Sequence, residues 1–225
     1  DNIISPLGFT TEENFQAAKN GCIGIDIIND PKIYPEPFPA AMINNDLVEN
    51  AFSKISTVED YTRLEKMLIL SITDAMKDTE IDISSDRTGL ILSTTKGNID
   101  LLASDKKHHF DKDRVTLWRL GQVIANYFKN PNQPVILSNA CISGVLALNI
   151  AAMLIDEDKF DHVIVCGADI VSRFVVSGFM SFLSLSPNPC RPFDKSRDGL
   201  SLGEAASTII LSKKGTGNFD IKHLG

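Results

Sequence analysis

The chain has 225 residues, of which 43% are hydrophobic and 23% charged, and its formal net charge is −7. This length and composition are typical of a globular α/β protein whose core needs no disulfides. The acidic balance and the lack of any long basic run exclude a general nucleic-acid-binding surface. No apolar run approaches the ~20 residues that cross a bilayer, so we expect neither a membrane segment nor a secretory leader.

The four cysteines and four histidines do not follow a metal-binding or disulfide pattern. There is no CxxC pair and no metal-like spacing between the two residue types. We therefore expect no metal and no cofactor. A reducing, cytoplasmic location fits this cysteine usage best.

Predicted strands and helices alternate along the chain. A helix with a capping box at 56–60 is predicted to continue to about Lys77, because apolar residues recur at helical spacing. The later predictions are a strand at 87–93, a helix at 115–128, a strand from 135, a helix from 145 to about 159, a strand at 162–166 closed by a turn at 167–169, and a strand at 207–211. Proline-rich stretches at 28–39 and 184–203 are predicted to be irregular. Apolar strands that alternate with helices predict an α/β fold with a largely parallel sheet covered on both faces.

The most informative residue is Cys141, at the predicted turn between the strand that starts at Val135 and the following helix. Unpaired backbone N–H groups at the helix start and the helix dipole favour a thiolate there. The small residues Ala140, Ser143 and Gly144 surround it, as a tight elbow with close backbone approach requires. The alternative is that Cys141 is a small buried side chain, as cysteines in apolar stretches usually are. The pattern indicates a nucleophile and leaves the reaction open.

Several motifs in order carry a family resemblance. Residues 139–144 read Asn-Ala-Cys-Ile-Ser-Gly, and 190–206 contain Pro-Phe-Asp-x-x-Arg-Asp-Gly followed by Gly-Glu-Ala-Ala. With the shorter matches at 4–8, 93–97 and 167–169, they resemble the β-ketoacyl-acyl-carrier-protein synthases, the condensing enzymes of the thiolase fold. The resemblance implies a thiolase-like α/β fold with a mostly parallel, mixed sheet and helices on both faces, of which this chain is one half.

The second half of that family carries two histidine motifs and a lysine, and this chain has no His-Gly-Thr segment. Its four histidines are expected to be structural or solvated: they are His108, His109, His162 and His223. We therefore expect residues 1–225 to be an N-terminal ketosynthase domain with the C-terminal half absent, and the isolated chain to be catalytically incomplete.

The resemblance implies that Cys141 accepts an acyl group, which then undergoes decarboxylative condensation with a malonyl thioester. Phe179, with Phe174 and Phe182 as weaker candidates, falls where the family lines its acyl tunnel; equally, all three could simply pack the core. The implied partner is an acyl carrier protein bearing acyl and malonyl thioesters, and the implied assembly is a homodimer. No nucleic acid or membrane partner is expected.

The helix after residue 60 is a doubtful docking site for a carrier protein, because Arg63 and Lys66 are the only cations in its first turns. A charged cluster near the chain end is expected to be a structural ion-pair and turn element: Asp194, Arg197, Asp198 and Glu204. Two other functions stay open. One is a non-catalytic or partner-dependent ketosynthase-like subunit, and the other is an unrelated cysteine hydrolase with His162 or His223 as its base.

Overall fold

The computed structural model describes residues 1–103 and 108–213. The strands in these residues are β1 (Asn2–Ile4), β2 (Asp26–Ile28), β3 (Phe38–Ala41), β4 (Thr88–Ser93), β5 (Val135–Leu137), β6 (His162–Asp169), β7 (Leu202–Gly203) and β8 (Ala205–Ser212). The α-helices are α1 (Thr11–Lys19), α2 (Asn45–Phe52), α3 (Arg63–Met76), α4 (Leu117–Tyr127), α5 (Ser143–Asp156) and α6 (Arg173–Ser181). Short 3-10 helices lie at Val58–Asp60, Ile99–Leu102 and Lys112–Val115.

The central sheet has five strands in the order β1-β8-β6-β4-β5. Strands β6, β4 and β5 run parallel, whereas β8 is antiparallel to both β6 and β1. The sheet is therefore mixed, and the predicted parallel arrangement is found in its three strands nearest Cys141. Strands β2, β3 and β7 form a separate three-stranded sheet. Since the carboxyl ends of parallel strands meet at one edge, the segments after β4, β5 and β6 come together.

Helices cover both faces of the central sheet, as predicted. Leu90 and Leu92 of β4 pack with α3 and α4, whereas Ile91 points the other way and packs with α5. Successive side chains of a strand point to opposite faces, so an unbroken apolar strand needs a cover on each side. No helix in residues 1–103 or 108–213 is long and apolar enough to span a membrane.

The helix predicted from residues 56–60 begins later than the sequence indicated. Helix α3 starts at Arg63, and its capping box is formed by Thr62 and Glu65. Residues Val58–Asp60 form a 3-10 turn, and Thr57 makes no side-chain cap there. Both segments carry a hydroxyl three residues before an acid, so the pattern alone could not choose between them.

Two other boundaries also differ. Residues 167–169 were predicted to be a turn, but strand β6 continues through them. Gly167 pairs with both β4 and β8, and Ala168 and Asp169 pair with β8. The stretch 28–39, predicted to be a surface loop, ends in β3, where Phe38 is 1% exposed. Pairing of β3 with β7 begins only at Ala40, so Pro39 has no ladder partner on that side, where a missing N–H is tolerated.

Candidate active site

Cys141 lies at the junction between β5 and α5, where the sequence predicted a nucleophile. Its thiol is free and its side chain is exposed, in contrast to the buried cysteine of the alternative interpretation. The preceding residue, Ala140, has φ 47°, a left-handed conformation that non-glycine residues rarely adopt and that often occurs at functional turns. The chain therefore turns sharply just before the cysteine and presents it in front of α5.

The Ser143 hydroxyl holds this turn from inside. Its Oγ accepts a hydrogen bond from the Asn139 backbone N–H at 2.8 Å and donates one to the Ala140 carbonyl at 2.7 Å. Ser143 is 5% exposed, so these bonds are shielded from water. A Cβ added at Gly144 would meet no atom within 4 Å, so the close approach predicted at Gly144 is not made by the described part of the chain.

A cavity of about 270 Å³ opens beside Cys141 at the carboxyl ends of the parallel strands. From the strand ends it is lined by Ser93, Thr94, Thr95, Gly167, Ala168 and Asp169. The other walls are Ala140, Cys141, Ser143, Gly144, Gly203 and Ala205. The topology thus places the cysteine in the crevice where open α/β sheets bind their ligands.

Asp169, the last residue of β6, is tied to the end of β4. Its Oδ1 accepts from the Thr95 backbone N–H at 2.9 Å, from Thr95 Oγ1 at 2.8 Å and from Thr94 Oγ1 at 3.0 Å. Among the described residues, Oδ2 accepts only from the Thr95 N–H, at 3.2 Å. The carboxylate is therefore fixed through one oxygen, and the other oxygen retains acceptor capacity.

The strand ends at this edge approach each other closely. A Cβ added at Gly167 would lie 2.5 Å from Ser93 Oγ, a separation that requires one of the two residues to move. Glycine at 167 thus lets β6 lie against β4 with Ser93 in the cavity wall. The family match at 167–169 did not indicate this packing role of Gly167. It becomes visible only from the pairing of β6 with β4.

A buried ion pair lies behind the cavity wall. The sequence had assigned its acidic member, Glu204, to a charged cluster near the chain end. Glu204 is 3% exposed and accepts from Arg63 Nη2 at 2.6 Å and from the backbone N–H groups of Ile43 at 2.9 Å and Val171 at 3.1 Å. Burial raises the pKa of Glu204, and the Arg63 charge and the two backbone N–H groups oppose that rise. This network fixes the chain between Gly203 and Ala205, both of which line the cavity.

The charged cluster predicted at 194–204 is in fact divided. Glu204 pairs with α3, whereas Asp198 accepts from Ser186 at 2.7 Å and pairs with Arg191 at 3.3 Å. Asp194 accepts from the backbone N–H and hydroxyl of Ser196, and these bonds hold the pKa of Asp194 below its usual value. These residues form turns and ion pairs, as expected, but they do not form one cluster.

The two cations at the start of α3 are held within the fold. Arg63 pairs with Glu204, and Lys66 is 7% exposed with its Nζ 3.6 Å from Glu49. Neither presents a free positive charge on the surface. Helix α3 therefore offers no free cation from its first turns to an acidic carrier protein, in agreement with the expectation from the sequence.

The histidines in the described residues do not reach the Cys141 cavity lining. His108 bonds to the Leu101 carbonyl, and His109 stacks on Phe110 with ring centroids 4.5 Å apart. His162 bonds to Ser212 at the amino end of β6, roughly 23 Å along the strand from Asp169 at ~3.3 Å per residue. His162 is therefore not placed as a base for Cys141, and His223 lies outside the described residues.

The three phenylalanines predicted to line an acyl tunnel lie on or just after α6. Phe179 is half-buried, whereas Phe174 and Phe182 are 58% and 82% exposed. None of them contributes to the lining of the cavity beside Cys141, and their role in a tunnel stays a prediction. Within residues 1–103 and 108–213, no group of His, Cys, Asp and Glu side chains is arranged to hold a metal ion.

Thr94, Thr95 and Asp169 were not predicted to be parts of the site, although the segments that contain them match the family. The strand-end rule would have found them, because each follows or ends a strand parallel to β5. Their hydrogen bonding was beyond prediction, since it depends on the register that pairs Ser93 with Gly167.

Comparison with known proteins places this geometry in a family. The family model described as "Beta-ketoacyl synthase, N-terminal domain" matches residues 29–216. The chain is 25% identical to 3-oxoacyl-[acyl-carrier-protein] synthase 2 of Staphylococcus aureus over 92% of the chain and 56% of that protein. It is 26% identical to the ketoacyl synthase alpha subunit of the tetracenomycin polyketide synthase of Streptomyces glaucescens, over 68% of the chain and 42% of that subunit.

Solved structures agree in fold. A ketosynthase in complex with its chain length factor from Xenorhabdus doucetiae superposes with a TM-score of 0.77 at 21% identity, over 96% of this chain and 57% of that one. A β-ketoacyl synthase from Burkholderia phymatum gives 0.75 at 22% identity, over 95% and 58%. The chain spans about half the length of the curated relatives it matches. By its match to the family's N-terminal domain, the chain belongs to the β-ketoacyl synthase family.

Proposed function

We propose that this chain is the nucleophile-bearing, N-terminal part of a 3-oxoacyl-[acyl-carrier-protein] synthase, with residues 1–225 as one domain. The observation that carries the proposal is Cys141, exposed on a sharp turn and facing a cavity where three parallel strands end. The names of the sequence relatives supply the reaction class.

In the first stage, the Cys141 sulfur attacks the carbonyl carbon of an acyl thioester. A new sulfur–carbon bond forms, the bond to the carrier's sulfur breaks, and the departing thiolate takes the proton that Cys141 gave up. The Cys141 backbone N–H supplies one donor to the developing oxyanion. Splitting the reaction through an acyl-cysteine replaces one difficult step by two easier ones.

In the second stage, a malonyl thioester loses CO₂, and the electron pair left on its α-carbon attacks the acyl-cysteine. The carbon–carbon bond forms as the bond to Cys141 breaks, which returns the thiolate. The decarboxylation produces an enolate-like charge that needs hydrogen-bond donors. None of the histidines in residues 1–103 and 108–213 lines the cavity, so the proposal assigns these donors to a further part of the enzyme and expects the isolated chain to be catalytically incomplete.

The proposal also assigns partners. The substrates arrive on an acyl carrier protein in the cytoplasm, and the working enzyme is a homodimer. Helix α5 and the turn before it expose Ile142, Val145 and Met153, which are 56%, 71% and 45% exposed. An apolar helix surface of this kind is buried in most folded assemblies, which supports a further protein segment packing on this side.

The test compares chain 1–225 with the full-length protein that contains it. Both are incubated with an acyl carrier thioester and the Cys141 peptide is weighed by mass spectrometry; malonyl carrier thioester is then added and 3-oxoacyl product is measured. The full-length protein is expected to form product, and its Cys141→Ala variant is not. Sustained product formation by chain 1–225 alone would overturn the claim that it is incomplete.

A partner-dependent, non-catalytic subunit is the second candidate. The exposed apolar residues before and on α5 and the similarity to a ketosynthase that is bound to a chain length factor favour it. If the full-length protein shows neither acylation at Cys141 nor product formation, this second function replaces the first.

A further inference from the structure

The wall of the Cys141 cavity combines small apolar residues with several polar side chains. Among the described residues that line it, Ser93, Thr94 and Thr95 offer hydroxyls and Asp169 offers a carboxylate. Apart from Cys141, the lining residues without a polar side-chain atom are all glycines and alanines. A site of this composition suits a small group that forms hydrogen bonds.

Asp169 is the acceptor with capacity left over. Its Oδ1 already takes three hydrogen bonds from Thr94 and Thr95, whereas Oδ2 has, from residues 1–103 and 108–213, a single, shared bond at 3.2 Å. These bonds also fix the direction of the carboxylate, so no rearrangement is needed before a ligand binds. A plain alkyl chain in the cavity would exclude water from Oδ2 without replacing its hydrogen bond, which is unfavourable.

We propose that the cavity beside Cys141 is a polar acyl subsite in which Asp169 Oδ2 accepts a hydrogen bond from a hydroxyl on the acyl chain. The preferred substrates are short hydroxyacyl thioesters, and unsubstituted acyl thioesters of equal length react more slowly. The cavity volume of about 270 Å³ leaves room for a short hydroxyacyl group next to Cys141. The inference rests on the proposed acylation of Cys141 and names its substrate class.

The test uses three matched N-acetylcysteamine thioesters and the full-length protein that contains this chain. 3-Hydroxybutyryl, butyryl and 3-methoxybutyryl thioesters are compared by the rate at which their acyl groups appear on Cys141. The methoxy compound is polar but cannot donate a hydrogen bond. We expect the hydroxy compound to react roughly tenfold to a hundredfold faster than the other two, the range for one hydrogen bond to a charged group.

The decisive variant is Asp169→Asn. Its side-chain oxygen can keep the bonds from Thr94 and Thr95, while an NH₂ group that donates replaces the acceptor Oδ2. The preference for the hydroxy compound over butyryl is expected to disappear, and the methoxy compound is expected to gain relative to it. Asp46→Asn removes the same charge at an exposed position on α2 and is expected to keep the wild-type preference.

The possible outcomes distinguish a failure of the polar subsite from a failure of the proposed acylation of Cys141. Protection of the buried Cys166 from iodoacetamide, with Cys141 still labelled, checks that each variant is folded. Equal rates for the three thioesters, or an unchanged preference in Asp169→Asn, would overturn the polar subsite and leave the acylation function standing. If none of the thioesters, free or on a carrier, acylates Cys141, both the proposed function and the subsite are overturned.

Discussion

Arg63 and Glu204 are 141 positions apart in sequence and form a 2.6 Å ion pair inside the fold. Arg63 is the first residue of α3, and Glu204 lies between two residues of the cavity wall, Gly203 and Ala205. Glu204 also accepts backbone N–H groups from Ile43 and Val171. One carboxylate thus joins four separate segments of the chain behind the candidate active site.

Replacing Arg63 with alanine is expected to destabilise the fold by about 3 kcal/mol, because it leaves the Glu204 charge buried without its partner. Urea unfolding followed by circular dichroism measures the change. Lys77→Ala breaks an exposed ion pair with Asp74 and serves as the control, with an expected loss of less than about 1 kcal/mol. Equal losses in the two variants would show that the buried pair has no special role.

The same pair predicts a pH dependence. Because burial raises the folded-state pKa of Glu204 above its unfolded value, protonation favours the folded state. The resulting contribution to stability is fully present below the unfolded pKa and is lost as the pH rises through the folded pKa. Without Arg63 the pKa rises further, so Arg63→Ala is expected to lose more stability at pH 7 than near pH 4. A loss that is independent of pH would contradict this.

The cap of α3 distinguishes the structure from the sequence pattern. Thr62 accepts from the Glu65 N–H at 3.3 Å and its hydroxyl also bonds to Asn98 at 2.7 Å. Thr62→Ala is therefore expected to cost about 1–2 kcal/mol in unfolding free energy. Thr57→Ala changes the same residue type in the segment that the sequence predicted as the cap, where no side-chain cap exists, and it is expected to have little effect. A larger loss of stability in Thr57→Ala than in Thr62→Ala would instead place the start of the helix at residues 56–60, as the sequence predicted.

Gly89 is expected to tolerate no larger residue. A Cβ there would lie 2.6 Å from the ring of Phe160, which is 8% exposed and packed in the core. Gly89→Ala should lower the free energy of unfolding by about 1–3 kcal/mol through overpacking. Gly178→Ala, in α6, meets open space and is expected to be neutral or to stabilise by up to about 1 kcal/mol. Thermal unfolding of both variants tests the contrast.

The cysteines are expected to differ sharply in reactivity. Cys166 is fully buried, donates toward the Leu68 carbonyl and accepts from Thr208 at 3.1 Å, and burial raises its pKa to about 12. Cys141 is exposed. Brief iodoacetamide treatment followed by peptide mapping should label Cys141 in the native protein and Cys166 only in urea. Native labelling of Cys166 at a similar rate would show that the core opens far more than its packing indicates.

The sequence was most informative where local chemistry determines structure. The elbow at Cys141 was predictable because an apolar strand, small residues and a helix start follow one another within ten positions. The alternation of strands and helices predicted both the sheet and its helical covers. These features depend on near neighbours in the chain.

The features that escaped prediction depend on distant partners. The role of Glu204 required Arg63, and the orientation of Asp169 required the register between β4 and β6. The reversal of β8 was also not readable, because an apolar strand has the same composition in either direction. The start of α3 was mispredicted for a different reason. Two capping patterns lie six positions apart in the sequence, and the later one is supported by a hydrogen bond from Thr62 to the distant Asn98.

The most direct measurement follows the acyl group on Cys141 in the full-length protein. The protein is loaded with an acyl carrier thioester, freed of excess substrate and treated with malonyl carrier thioester, while the mass of the Cys141 peptide is monitored. The account predicts that the acyl mass appears on Cys141 and disappears as 3-oxoacyl product forms. An acyl group that never reaches Cys141, or that leaves only as the free acid by hydrolysis, would contradict it.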